Sequence, residues 1–268
     1  MKKIIFSLVI LSCFSGYSQS YESDLFEVKE ENTLKSFRDS ENKKMTVKSF
    51  ITVGGKDILE YSVEFKKTIF NSNMFNFKLD YTDNYVFNDY DKARGRYKLN
   101  NLGLVIAYER TDFGGKKGLI LGTEYHNINY KEGIVAEDRI RYKEYYNVGS
   151  VGMDTVVTVD YLKYDVSING DTLKQKEMNS SSNTIFSLKN NLIQKQTNVI
   201  KGFSSEVIYA YDSSNRLIQK IFLTISNDTN ESIKNTLKLT YNSDGLLSKT
   251  EFFDQTNTIL EKKIFSYK

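Results

Sequence analysis

The chain has 268 residues, 40% apolar and 13% aromatic, with 37 Lys and Arg against 34 Asp and Glu. This is ample material for a core and excludes wholesale disorder, while the near balance of charge excludes the concentrated positive field that draws nucleic acid. The single histidine, His126, excludes a multi-histidine metal site.

At the N-terminus, Lys2 and Lys3 precede the apolar run Ile4 to Leu11, and Gly16-Tyr17-Ser18 places small residues three and one before Gln19. This is the three-part layout of a secretory signal peptide, with cleavage predicted after Ser18. The apolar run falls well short of the ~20 residues a membrane-spanning helix needs. Removing Lys2 and Lys3 takes Lys+Arg from 37 to 35 against 34 acids, leaving a mature charge of +1. Ile10-Leu11-Ser12-Cys13 offers an alternative, a lipobox-like segment that would anchor the chain through lipid on Cys13. With cleavage after Ser18 the mature chain has no thiol, which excludes disulfides, thiolate catalysis and Cys-ligated zinc.

Residues 19–44 read as a polar N-terminal arm, with at most a short helix near residues 25 to 40. Period-two alternation then takes over. Val47 to Val53 and Leu59 to Lys66 form a predicted hairpin around Gly54-Gly55, with Leu59, Tyr61, Val63 and Phe65 on one face and Glu60, Ser62, Glu64 and Lys66 on the other. Phe75, Phe77, Leu79 and Tyr81 repeat the pattern. Leu102 to Arg110 and Leu119 to Tyr130 pair around Gly114-Gly115. Asn147 to Met153 is a predicted boundary between a β region at 45–148 and a repeat-like hairpin region at 154–268. There Tyr164 to Ile168 runs into Asn169-Gly170, the residue pair of a type I′ turn. A turn-Leu-Lys pattern recurs with leucines at 173, 192, 217 and 246, separated by 19, 25 and 29 residues, too uneven for a strict solenoid.

Two of these units carry more, namely Tyr209-Ala210-Tyr211-Asp212-Ser213-Ser214-Asn215-Arg216-Leu217 and Leu239-Thr240-Tyr241-Asn242-Ser243-Asp244-Gly245-Leu246-Leu247. They resemble the YD repeat of RHS-like proteins, a likeness confined to the C-terminal ~60 residues. Asn215 stands in place of that motif's Gly, and Asn242 in place of its Asp. The resemblance implies strand-turn-strand units in a hairpin-built sheet. From the residues themselves, tyrosine packs its ring across strands with its hydroxyl reaching water, Asp or Asn caps the turn, and Gly or Asn takes positive φ.

No catalytic, cofactor or metal site emerges. Gly114-Gly115-Lys116-Lys117-Gly118 lacks the spacing of a phosphate-binding loop and precedes a strand, not a helix. His126 lies in an alternating segment, as an ordinary strand histidine would. Asp212 and Asp244 are the nearest guess at a carboxylate pair, and with Asn215 and Asn242 they supply oxygens that could face calcium; turn capping accounts for all four more simply. The sequence thus predicts an all-β, antiparallel, hairpin-built protein, its sheet open or curled, exported to the periplasm, outer membrane or exterior. It is read as a non-catalytic binding or scaffold protein with a protein, glycan or lipid partner. The alternatives are a lipid or lipoprotein carrier around an apolar pocket and an outer-membrane barrel.

Overall fold

A computed structural model describes residues 33–69, 71, 73–81, 92–114, 119–131, 134–147, 153–178, 183–190, 192–200, 203–226 and 232–268. The signal segment, Cys13, residues 19–32 of the arm and the Gly115-Lys116-Lys117-Gly118 turn lie outside these.

A seven-residue helix, α1 (Thr33–Asp39), precedes the strands β1 (Lys44–Val53), β2 (Lys56–Lys67), β3 (Met74–Tyr81) and β4 (Lys92–Leu99). The middle of the chain supplies β5 (Val105–Gly114), β6 (Leu119–Lys131), β7 (Ile134–Asn147) and β8 (Met153–Asn169). Then come β9 (Thr172–Glu177), β10 (Asn183–Lys189), β11 (Leu192–Ile200) and β12 (Phe203–Tyr211). The last four are β13 (Leu217–Ser226), β14 (Ser232–Tyr241), β15 (Leu247–Phe253) and β16 (Ile259–Tyr267). Each pairs antiparallel with its sequence neighbours. β1 also pairs with β16, Met45 opposite Tyr267 and Val47 opposite Phe265, so the sheet is a closed barrel. The expected open or curled sheet is thereby corrected: the free edges of the first and last strands satisfy each other. β7 and β8 pair from Asn147–Met153 to Glu137–Lys163, and one sheet runs through both regions.

The alternation decides which way each side chain points. Met45, Val47, Tyr61, Val63, Phe65, Phe75, Phe77, Leu79, Tyr97 and Leu99 face inward at 0–4% exposure. Between them Lys48, Lys66, Lys78, Lys92, Arg94, Arg96 and Lys98 face outward. A round sixteen-stranded wall would leave a water-filled channel. Here the inward side chains of β1 to β4 are dry and pack together. The cluster joins β1 to β6 with Leu217, Leu237, Leu239, Leu247 and Phe265 from β13 to β16, and a smaller one gathers Val166, Leu173 and Phe186. Each fully buried aromatic or aliphatic side chain contributes about 1.5–3 kcal/mol.

α1 covers the barrel end where β1 starts and β16 finishes. Its Phe37 is fully buried, 5.6 Å from the Phe75 ring and 6.3 Å from that of Tyr267. Arg38 fastens it by donating to Asn73 Oδ1 and the Asn100 carbonyl.

The turns repeat one chemistry. Asn100, Asp212, Asn242 and Asp254 each accept, through the side-chain oxygen, the backbone N–H groups two and four residues on. The residue three on has positive φ in every case: Gly103 86°, Asn215 59°, Gly245 75° and Asn257 61°. This is the three-residue hairpin loop closed by a left-handed residue. Two of the four follow tyrosines, whose hydroxyls bond to the backbone. Tyr211, Tyr241 and Tyr267 donate to the carbonyls of Ile193, Leu217 and Leu247 at 2.8 Å, tying the end of one strand to the start of the strand before it. Tyr130 does the same to Val105. The Asn169-Gly170 turn also differs from expectation. Asn169 pairs with Thr172, leaving Gly170-Asp171 as the loop with positive φ only at Gly170, which is the type II′ arrangement. Replacing Asn215 by Gly is expected to change stability by only a few tenths of a kcal/mol, whereas Asn215→Val is expected to cost about 1–3 kcal/mol through its φ. Urea denaturation of both variants checks this.

Candidate functional site

One group of chemistry-bearing side chains that the fold brings together lies inside the barrel on β5, β6 and β7; Ser49 and Lys263, buried beside Glu60 and Glu261, are another. Tyr108, Arg110 and Asp112 alternate inward on β5, as do Glu124 and His126 on β6 and Asp138 on β7. Register sets Tyr108 opposite His126 and Arg110 opposite Glu124. A 12-residue separation around the β6–β7 hairpin then brings Asp138 to His126.

His126 is 1% exposed and Asp138 0%. Nδ1 of the imidazole lies 3.1 Å from Asp138 Oδ2 and Nε2 lies 2.7 Å from Glu124 Oε1. Both ring nitrogens therefore face carboxylates, and both can donate only in the imidazolium form. Burial alone would lower the histidine's pKa, but the hydrogen bonds it donates to Asp138 and Glu124 outweigh it and raise it above its ordinary value. Arg110 donates from Nε to Asp112 Oδ1 at 2.5 Å. Burial pushes the Asp112 carboxyl up, against the pull of Arg110. Two cations thus sit among three acids in the interior, with the Tyr97 ring 4.9 Å from that of Tyr108 and the Tyr108 ring 5.5 Å from the imidazole.

This arrangement is closed. Both nitrogens of His126 are engaged and water does not reach them, so no substrate atom can approach the one imidazole in the chain. His126 lies in a strand, as expected from sequence, and is also the centre of a buried ion cluster. Its sequence signal was the i, i+2 pair Glu124 and His126; Asp138 gave none.

Asp212 and Asp244 lie in equivalent turns at different positions. Asp212 aligns with Asn242, and Asp244 with Ser214. Asp212 accepts from the N–H groups of Ser214 and Arg216 and from the Arg216 guanidinium, which together hold its carboxyl below the usual range. Asn242 is committed to the N–H groups of Asp244 and Leu246. Asn215 serves through its backbone conformation. Among the described residues no group of three or more His, Cys, Asp or Glu side chains could hold a metal ion.

The outward face of β4 to β8 is different in kind. Arg96, Lys98, Glu109, Tyr125 and Asn127 rim a recess of about 240 Å3 over Ala107, whose small side chain leaves the space. Tyr125 is 39% exposed. Arg96 is held by Glu109 at 2.6 Å, and the Arg139 guanidinium lies 5.2 Å from the Tyr161 ring. The sequence hid this face because its residues are spread over five strands.

No family model matches the sequence, and no curated protein matches it. Among solved structures, the chain is similar to a porin-like protein from Bacteroides uniformis, with TM-score 0.43 and 10% identity over 85% of this chain and 98% of that one. It is also similar to a DUF1329 family protein from Desulfovibrio piger, with TM-score 0.32 and 9% identity over 90% of each. A porin-like protein from Bacteroides vulgatus gives TM-score 0.25 and 10% identity over 82% of this chain and 97% of that one.

Proposed function

We propose that the chain is an exported, non-catalytic binding protein of the cell envelope or exterior, which works in water and meets its partner through the outward face of β4 to β8. The observation that carries this reading is the outward face of β1 to β4, which is lined with charged side chains over a packed apolar cluster. An outer-membrane barrel needs the reverse, an apolar outward band ~25 Å tall around a polar lumen. Here Lys48, Lys66, Lys78, Arg94, Arg96 and Lys98 occupy outward positions. Every such charge would be costly against lipid. A lipid carrier needs an empty apolar interior. The rings of Phe65, Phe77, Tyr97 and Tyr108, with centroids 4.9–6.2 Å apart, occupy that space instead.

The signal segment supports export. Arg and Tyr concentrated on one face, as at Arg96, Arg139, Arg141, Tyr125 and Tyr161, are the residues enriched at protein interfaces, and their positive charge favours an acidic partner surface. Fractionation of cells producing the chain and a Cys13→Ser variant tests the reading. The variant is expected in the soluble exported fraction, and retention of that variant in the membrane after carbonate washing would overturn it.

A further inference from the structure

β8 is far longer than the strand beside it. Its first part pairs with β7 alone, because β9 pairs only with Tyr164 to Asn169. Beyond that, Met178 donates its N–H to the Lys163 carbonyl. Backbone groups alternate sides along a strand, so Val157, Val159 and Tyr161 direct their N–H and C=O groups the same way as Lys163. Among the described residues nothing pairs with them. The same stretch is open on both faces: Val156 is 48% exposed, Val157 47%, Val159 68% and Tyr161 45%. It lies beside a step in the barrel rim, above the short β9. Natural proteins protect such an edge with lysine, proline or a bulge. Between Met153 and Leu162 there is no basic residue and no proline, and the pairing with β7 runs without a register shift.

We propose that this edge is occupied by the same edge of a second copy of the chain, joining two barrels through antiparallel β8–β8 pairing. The inference rests on the water-facing reading above. The argument for a second copy is self-complementarity. A two-fold axis perpendicular to the sheet pairs residues of equal parity, so the free backbone groups of Val157, Val159 and Tyr161 meet their own kind. Of the neighbouring registers, one centred on Val157 sets Asp154 against Asp160, and one centred on Asp160 sets that residue against itself. Centring on Val159 avoids both. It places Val159 against Val159, Val157 against Tyr161, Val156 against Leu162, and the Asp160 carboxylate beside the Thr158 hydroxyl. Each is a favourable cross-strand pair.

The test is the mass of the full chain in detergent-free buffer, by sedimentation and native mass spectrometry, with variants at the central position. The wild type is expected to be a dimer. Val159→Lys and Val159→Glu each set like charges face to face and are expected to weaken the dimer about tenfold or more, with circular dichroism unchanged because the side chain stands in solvent. An equimolar mixture of the two variants is expected to restore dimers. A monomeric wild type at about 100 µM, a dimer indifferent to both substitutions, a mixture that stays monomeric, or a different protein held at this edge in place of a second copy would each overturn the proposal. None of these outcomes bears on whether the barrel is water-facing, which fractionation decides separately.

Discussion

Replacing His126 by alanine is expected to cost about 3–5 kcal/mol of stability, the usual penalty for removing one partner of a buried ion cluster. Without the imidazolium, Glu124 and Asp138 lose the cation between them in a place water does not reach. Of the conservative variants, His126→Gln keeps a donor and is expected to lose less. The pH dependence has a definite sign. The folded state binds the histidine proton more tightly than the unfolded state, where the ordinary value is 6.5. The stabilisation is therefore complete below that value and declines as pH rises through the raised folded pKa. Asp112 also has a raised pKa, from burial, and its contribution likewise falls with rising pH. Its window begins in acid, above the ordinary carboxyl value of 3.8. Urea titrations at about pH 6 and about pH 9 are expected to show the His126 decline in the wild type and a smaller one in His126→Gln, in which only Asp112 remains.

The second large effect is expected at Gly95, in the middle of β4. A Cβ there would lie 1.8 Å from the Glu109 carbonyl oxygen and 2.6 Å from the Phe77 ring. The carbonyl belongs to the next strand and cannot move without breaking the ladder, and the ring is stacked on Tyr108 at 5.9 Å. Gly95→Ala is therefore expected to cost about 3 kcal/mol or more, the upper range of overpacking, and Gly95→Val is expected to prevent folding at 37 °C. Thermal unfolding followed by circular dichroism measures the first, and yield of soluble protein the second. Pairing Gly95→Ala with Phe77→Leu is expected to recover only part of the loss, because the closer obstacle is backbone.

These two residues also mark what sequence alone leaves obscure. Strands such as β2 and β3 were legible because a half-buried strand must alternate, and Tyr61, Val63 and Phe65 do so against Ser62, Glu64 and Lys66. Gly54-Gly55 was legible because both residues take positive φ, at 58° and 77°. Closure was not legible. Alternation says which residues share a face, but it carries no term for Met45 meeting Tyr267. The outward and inward faces of a barrel therefore looked the same as those of an open sheet. The Asx turns at Asp212 and Asn242 stood out because tyrosine precedes them, while identical turns at Asn100 and Asp254 follow Leu99 and Phe253 and passed unnoticed. The interior ion cluster was hidden for a related reason. Glu124 and His126 share a face by spacing, yet Arg110 and Asp138 reach them only through cross-strand register, which hairpin lengths and bulges set. Gly95 carried no sequence signal, because the Glu109 carbonyl and the Phe77 ring that exclude a Cβ there come from neighbouring strands.

The central claim is that this barrel is built for water, with charge on the outward face of β1 to β4 over a packed apolar cluster. Sedimentation velocity of the purified Cys13→Ser chain in detergent-free buffer, alongside the same sample in detergent, tests it most directly. The account predicts a folded, discrete species in both, with no bound detergent mass and no heat-modifiable shift in migration. Precipitation without detergent, together with a detergent-stabilised form that migrates differently when boiled and inserts into bilayers, would contradict it.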